Sequence, residues 1–591
     1  MSQDMSKAAE ETFRLRENEG ENKLTSLEEA VRKNIEPGMK LYVSAEAGAA
    51  VCEIIRQYWG KDPEFTLIQP VVSDHSLNLV HCGLVKRLIM ASGSTFYPAP
   101  GPSPVIQSAF KNKKVEFESW SLYTLYLRMM AGALGVSFMP TKSIVGSSLA
   151  EELRDSFKVI DDPFGNKHKL GVVTPLNPDI SIVHAWAADP YGNTIQIPPS
   201  TDGVWPARAA KKGVMVTVEK IVSTEFVRRH SIFVKIPGYM VNSVSVAPLG
   251  AHPRGLLNTA DIPEFEAYGD DYEFMSQHRD ASQQSDSLNT WIKDWVLSCK
   301  NHSDYVCKLG VSRVTTLKGK ANRDIWTYEL GSAPKDLAKG GEYNATEMMI
   351  IAAAREIEEI VTKNSHRVIV TGIGAGALAG WIAYYQLKNK DYDVELCQGG
   401  ALYGHSPRPG DPFALGFSHI ATCKMLTDVI DGYGTIICGE NNKTLAILGA
   451  AQIDKYGNIN TTHLGERGFF IGAGGGNDIA NGARELLVVA RQSRGRFVEK
   501  VPYISCCGDK ISTLVSDLGV FKKVGGDGIF TLTKYIGAPE SPSKDKTIDK
   551  IRERCGWDLK VTGDIGTVST PSPHELEILR TLDLHKSFIK D

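Results

Sequence analysis

The sequence has no Cys-x-x-Cys pair. Its ten cysteines stand apart, at 52, 82, 299, 307, 397, 423, 438, 506, 507 and 555, so a zinc knuckle has no support and no metal site is expected. It has no apolar h-region near its start. Met1 to Lys23 carries charges of both signs, which argues against a secretory signal and, with it, a disulfide framework. Residues 1–24 read as a flexible leader, either a frayed helix or disordered, and the cytoplasm is the expected location. No run of about 18 apolar residues is present, so no membrane partner is expected. There is no basic surplus either. Lys and Arg number 66 against 69 Asp and Glu, a net charge of −3, so no nucleic-acid partner is expected.

What is there suits a globular chain with a sizeable core: 42% apolar and 23% charged residues. The length gives a prior of about four domains. Glycine, at 55 residues, is somewhat above the average of about 7%, which suggests many turns near ligands or sheet ends.

An internal echo carries more information. Residues 179–194 read DISIVHAWAADPYGNT and residues 444–459 read TLAILGAAQIDKYGNI. Each is an apolar, β-rich run followed by a small-residue patch and Asp-x-Tyr-Gly-Asn. The pattern predicts a buried strand ending in a tight turn, with Asp189 and Asp454 bonding the turn backbone and Gly192 and Gly457 at positive φ. One copy would be an ordinary turn; two suggest related halves. The openings at 35–56 and 366–385 agree, each predicting strand, Gly/Ala-rich turn and apolar helix. A helix is predicted over 345–363. The polar stretch Lys318–Asn344 shows no sustained periodicity and reads as a linker. The fold class is therefore α/β, two related domains with mostly parallel sheets flanked by helices. The expected divisions are 1–24, 25–320, a linker over 321–344, and 345–591. Ligands of open α/β sheets bind beyond the carboxyl ends of strands, so the site is expected in a cleft between the halves.

Four glycine-rich segments are candidates for chemistry. Gly132, Gly135 and Val136, in GALGVSFMPTK, suit an oxyanion loop or, equally, a helix C-cap. Gly372-Ile-Gly374-Ala-Gly376 lacks the third spaced glycine of a dinucleotide fingerprint. Gly472, Gly474, Gly475, Gly476 and Asn477 form a loop whose consecutive glycines cost backbone entropy, which suggests a nearby ligand. It lacks a Walker ending. In the fourth, Cys397 ends an apolar strand before Gln398, Gly399 and Gly400, with Tyr403 and His405 following. Catalysis competes there with a buried structural cysteine.

Taken together, these segments resemble the family I CoA transferases of the glutaconate CoA-transferase type, over nearly the whole chain. The first half is similar to the α subunit in GALGVSFMPTK (132–142), IDDPFG (160–165), HAWAADPYGN (184–193) and APLGAHP (247–253). The second half is similar to the β subunit in GAAQIDKYGNINTT (449–462), GAGGGNDIA (472–480) and CGWDLKV (555–561). Subunits that are usually separate are here fused.

The resemblance implies a CoA thioester as substrate, no bound cofactor and a site between the two halves. A homodimer is left open. In that family a glutamate of a Glu-x-Gly motif at a strand end attacks the acyl-CoA. Aligning the strands places Cys397 at the glutamate position, with Gln398 and Gly399 completing the motif; a one-residue shift would put Gln398 or Gly399 there. Either way no carboxylate is present. Glu395 lies two residues earlier. Members with cysteine in this place resemble glutaconyl-type CoA decarboxylases, in which the thioester carbonyl is the electron sink. The leading expectation is decarboxylation of a small unsaturated dicarboxylic acyl-CoA. On this reading Cys397, Gln398 and Glu395 are catalytic, Gly132, Gly135, Val136, Gly399 and Gly400 form the oxyanion or substrate loops, and Gly472, Gly474, Gly475, Gly476, Asn477 and His405 bind CoA or substrate. Arg254 or Arg408 would hold the distal carboxylate. The alternatives are a transferase using Glu395 or Glu118, a thioester hydrolase, and a non-catalytic acyl-CoA binder.

Overall fold

Ile180–Ala188 is buried along its whole length, as expected for a central parallel strand covered on both faces. Around it the first half builds a nine-stranded sheet. Its parallel strands are β1 (Lys40–Val43), β2 (Phe65–Ile68), β3 (Val85–Met90), β4 (Glu116–Ser119), β5 (Ile180–Ala188), β6 (Val214–Ile221) and β7 (Val241–Val246), in the order β7-β6-β5-β1-β2-β3-β4. Helix α1 (Gly48–Tyr58) follows β1, and α2 (Leu122–Leu134) follows β4. In the second half α3 (Ala345–Lys363) precedes β8 (Val368–Thr371), α4 (Ala375–Lys388) and β9 (Glu395–Gln398). β10 (Thr444–Leu448), the short helix α5 (Gly476–Gly482), β11 (Glu485–Val489) and β12 (Ile511–Val515) complete its parallel core. That core runs β12-β11-β10-β8-β9 within a ten-stranded sheet. The computed structural model describes residues 3–590 apart from 17–19, 96, 98–100, 166–168, 200–201, 334–340, 411–412, 414–415, 466–467 and 538–542.

The two cores share one topology. β1 and β8 open each half, the next strand pairs on one side, and three later strands extend the other side in the same order. The echoed turns match bond for bond. Asp189 Oδ1 accepts from the Tyr191 and Asn193 N–H groups at 3.1 and 2.9 Å, and Asp454 Oδ1 accepts from Tyr456 and Asn458 at 3.0 and 2.9 Å. Gly192 and Gly457 sit at φ 92° and 89°, where a side chain would be strained.

Helix α3 coincides with the stretch predicted from sequence and begins in a capping box between Asn344 and Glu347. Part of the stretch expected to be a linker is helical. Ile325–Ser332 is a helix with no buried residues, which is why its sequence shows no amphipathic stripe. Residues 334–340 of that stretch lie outside the described residues. In the leader Gln3–Phe13 is helical, and Lys23 bonds Pro190 and Val244 of the first half at 2.8 and 2.9 Å. Among the described residues no helix is long and apolar enough to cross a membrane.

Candidate functional site

A cavity of about 660 Å³ lies between the halves, at the carboxyl ends of the parallel strands. Ala45 and Glu46 reach it from the turn after β1, His184 from β5, Gly372 and Ile373 from the turn after β8, and Gln398 and Gly399 from the end of β9.

Cys397 does not line this cavity. It is fully buried in the apolar cluster that contains Val370, Val429, Tyr433 and Ala446. Burial there pushes its thiol up to about 12, the opposite of what a thiolate nucleophile needs. The next residue, although buried, borders the cavity. Side chains alternate along a strand, and the last one clears the sheet edge. Gln398 therefore presents its amide to the cavity. Its Nε2 donates to Gly372 O at 2.8 Å, and its buried Oε1 meets no donor among the described residues. Glu395 sits at the other end of β9 and is ion-paired to Lys388 at 3.2 Å and Lys424 at 2.6 Å, away from the cavity. Glu118 is likewise occupied, by Arg87, Arg128 and the Trp120 indole.

Among the described residues four carboxyl groups line the cavity, Glu46, Asp202 and Asp270 from the first half and Glu329 from the helix Ile325–Ser332. Glu46, among the described residues, makes no ion pair or side-chain hydrogen bond to a neighbour. Burial pushes its carboxyl above the usual range, opposed only in part by its own N–H and by Arg254. Asp202, also in the wall, accepts from the Ala45 N–H at 2.6 Å and the Tyr126 hydroxyl at 3.1 Å. Burial pushes its carboxyl up to about 7 despite these bonds. His184 is held by Glu219 and Thr217, each at 2.9 Å. Arg254 bonds Asp74 at 2.8 Å and Ser73 at 3.0 Å. Burial opposes the Asp74 charge, but Arg254 outweighs it and keeps that carboxyl below the ordinary range. Lys320 completes the polar wall. Its ammonium lies 3.4 Å from Asp270 O and 5.1 Å from the Tyr272 ring centre.

The remaining sequence candidates divide. Gly399, Gly474, Gly475 and Gly476 line the cavity, as Gln398 does. Gly472 and Asn477 do not. A Cβ at Gly472 would lie 2.4 Å from Ala91 O, and Asn477 bridges Ile144 N and Ser505 O, each at 2.7 Å. These two residues join the halves. Gly400 packs against the Tyr433 ring, and His405 is fully buried away from the cavity beside Trp381. Gly132, Gly135 and Val136 do not line the cavity. Gly132 lies inside α2 against Asn177, Gly135 is the left-handed C-cap of α2, and Val136 is exposed beyond it. Of the two arginines considered for a distal carboxylate, Arg254 lines the cavity, whereas Arg408 lies over the Trp326 ring. His252 is a buried partner of Asp271 and Tyr305. Among the described residues no group of three or more His, Cys, Asp or Glu is placed to hold a metal ion.

Glu46, Asp202 and Lys320 were missed in the sequence. Glu46 had a usable signal, since it stands just beyond the carboxyl end of a predicted strand, the same rule that drew attention to Cys397. Asp202 and Lys320 follow irregular or polar stretches and had none.

The coenzyme A transferase family model matches residues 24–247 and 440–532, more than half of the chain. One of the two subunits of glutaconate CoA-transferase from Acidaminococcus fermentans is 32% identical over 223 residues, which is 35% of this chain and 67% of its own length. One of the two subunits of 3-oxoadipate CoA-transferase from Pseudomonas knackmussii is 28% identical over 263 residues, which is 41% of this chain and 94% of its own length. The apoenzyme structure of an acyl-CoA transferase from Escherichia coli O157:H7 shares the fold across 94% of this chain and 96% of its own, with a TM-score of 0.64 at 14% identity. With two related halves and a cavity at their seam, the chain belongs to the coenzyme A transferase family, as a fused family I member acting on acyl-CoA.

Proposed function

We propose that this protein decarboxylates a small unsaturated dicarboxylic acyl-CoA, with the thioester carbonyl as electron sink. The observation that carries the reading is Gln398, an amide at the cavity end of β9. An amide does not attack a thioester to give the mixed anhydride that a carboxylate nucleophile forms. Decarboxylation needs no such adduct. It needs the thioester oriented, the departing carboxylate held in a partly dry pocket, and a proton returned to carbon. Arg254 and Lys320 supply positive charge in the wall. Gln398, Gly399 and the Gly474–Gly476 backbone are assigned to the thioester end, and no bound cofactor is required.

Incubation with a panel of dicarboxyl-CoA esters, followed by mass spectrometry, tests this. Loss of CO2 with CoA retained is the expected result. CoA exchange between free acids, with a borohydride-sensitive enzyme adduct, would overturn it in favour of transfer. Release of free CoA would instead indicate hydrolysis.

A further inference from the structure

We propose that Glu46 is the acid that returns a proton to the substrate carbanion. The inference rests on the decarboxylase reading and deepens it.

Three features single this residue out. First, Glu46 is a carboxyl that lines the cavity with no ion pair or side-chain hydrogen bond to a neighbour among the described residues. Its proton is thus not committed to the fold. Second, the other acids of the wall are placed differently: Asp270 Oδ1 accepts from the Gly255 N–H at 2.6 Å and the group feels the Arg254 charge, Glu329 stands on the helix Ile325–Ser332, which buries no residue, and Asp202 is committed. Both Asp202 oxygens accept, from the Ala45 N–H and from the Tyr126 hydroxyl. A carboxyl that accepts at both oxygens serves as an anchor rather than a donor, and this one fixes the residue next to Glu46. Third, the backbone around Glu46 is immobilised. The Ala47 N–H bonds Ser44 O at 3.1 Å, and a Cβ on Gly48 would lie 2.5 Å from His252 O, so the start of α1 is clamped against the 250–252 segment. Burial keeps the Glu46 carboxyl protonated over a wider pH range than a solvated one.

The step balances without a co-reactant. The bond between the substrate carboxylate and its carbon breaks, CO2 leaves, and the electron pair spreads into the thioester as a dienolate. The O–H bond of Glu46 then breaks as a C–H bond forms on that carbon framework. Glu46 is left as a carboxylate and regains its proton from solvent. Run backwards without CO2, the last step removes a proton from an enoyl-CoA, so the enzyme exchanges that hydrogen with solvent.

Exchange gives a test independent of CO2 release. Short-chain 2-enoyl-CoA thioesters, crotonyl-CoA among them, are incubated with the full-length protein in D2O, and deuterium uptake is followed by mass spectrometry. The wild type is expected to exchange well above buffer background. Glu46→Gln is expected to lose at least about 100-fold of that rate, the lower end of what a positioned acid–base group contributes. Its affinity for crotonyl-CoA, measured by calorimetry, should stay near that of the wild type and so report a folded site. Glu46→Asp, with a shorter carboxyl, should restore part of the exchange. Equal exchange in the wild type and Glu46→Gln, or no exchange in the wild type, overturns the assignment. So does a hydroxylamine-sensitive acyl adduct mapped to Glu46, because the residue would then be the nucleophile. Glu46-dependent exchange without CO2 release from any dicarboxyl-CoA would sustain the acid and sink the decarboxylase. Undiminished CO2 release by Glu46→Gln would do the reverse.

Discussion

Glu46 and Gln398 line one cavity from opposite halves of the chain, Glu46 in the turn after β1 and Gln398 at the end of β9. The second half thus offers an amide at the strand end, while Glu46, Asp202 and Asp270 line the cavity from the first half. Under the proposed mechanism, this division separates binding of the thioester from proton transfer. It also places the chemistry where neither half alone encloses it.

The neighbouring positions 397 and 398 should behave very differently. Cys397→Ala removes a core sulfur that does not line the cavity. We expect turnover within about threefold of wild type and a stability loss of roughly 1 kcal/mol for the small void. Gln398→Glu places a carboxylate at the strand end. It should lower decarboxylation and introduce exchange of labelled acid into acyl-CoA through a borohydride-sensitive adduct. Steady-state kinetics, thermal melts and label exchange on both variants check this. A large drop in turnover for Cys397→Ala with no change for Gln398→Glu would return the chemistry to the thiol.

Gly472 is needed for the contact between the halves. It has φ 97°, and any Cβ would press on Ala91 O at 2.4 Å. The next bonds along this loop, Gly474 N–H to Ala91 O at 3.0 Å and Leu122 N–H to Gly474 O at 2.9 Å, depend on that approach. Gly472→Ala combines backbone strain with a steric clash, so a cost of about 2–4 kcal/mol is expected. Lower melting temperature and greater protease sensitivity would report it. An unchanged melt would show that the loop can move away without loss.

Asp202 makes a pH prediction. Its carboxyl rises from 3.8 to about 7 on folding, so the native state binds this proton more tightly than the unfolded chain does. The stability it contributes is full below about pH 3.8 and is lost as pH rises through about 7. Asp202→Asn lacks this titration. Relative to that variant, the wild type should lose stability between about pH 4 and 7, by at most about 1.4 kcal/mol per pH unit. Denaturant melts across that range measure the difference, which removes the other titrating groups the proteins share. Parallel pH curves would mean that Asp202 is already ionised in acid.

Much of the architecture could be read from local patterns. The paired turns at Asp189 and Asp454 are encoded in five consecutive residues, and turn chemistry of that kind survives any tertiary context. Helix α3 was equally plain because its apolar residues and its Asn344 cap agree. The site was less legible. Whether Cys397 or Gln398 meets the cavity depends on a single residue of register, and a slip of one exchanges the faces of a strand. Gly132 and Gly135 looked like a ligand loop because a glycine C-cap and an anion-binding loop share the same composition. The helix Ile325–Ser332 was hidden for a different reason. It buries no residue, so it carries no periodic stripe, yet its Ile325 and Glu329 reach the cavity wall.

Lys320 tests whether the substrate carries a second carboxylate. Its ammonium is in the cavity wall, 3.4 Å from the Asp270 carbonyl and over the Tyr272 ring. The Asp270 and Glu329 carboxyls also interact with this charge, but burial holds both above the ordinary carboxylate range, toward the neutral form. Arg254, by contrast, already bonds Asp74 and Ser73. An incoming carboxylate would therefore gain more from Lys320 than from displacing an existing ion pair. Lys320→Met keeps the length of the chain and removes the charge. For a dicarboxyl-CoA substrate we expect KM to rise at least about tenfold, the equivalent of about 1.4 kcal/mol. Binding of a monocarboxylic acyl-CoA such as crotonyl-CoA should change little, because it brings no second charge to that wall. Equal losses for both ligands would mean that Lys320 supports the cavity or contacts the CoA moiety, and the carboxylate pocket would then be sought at Arg254.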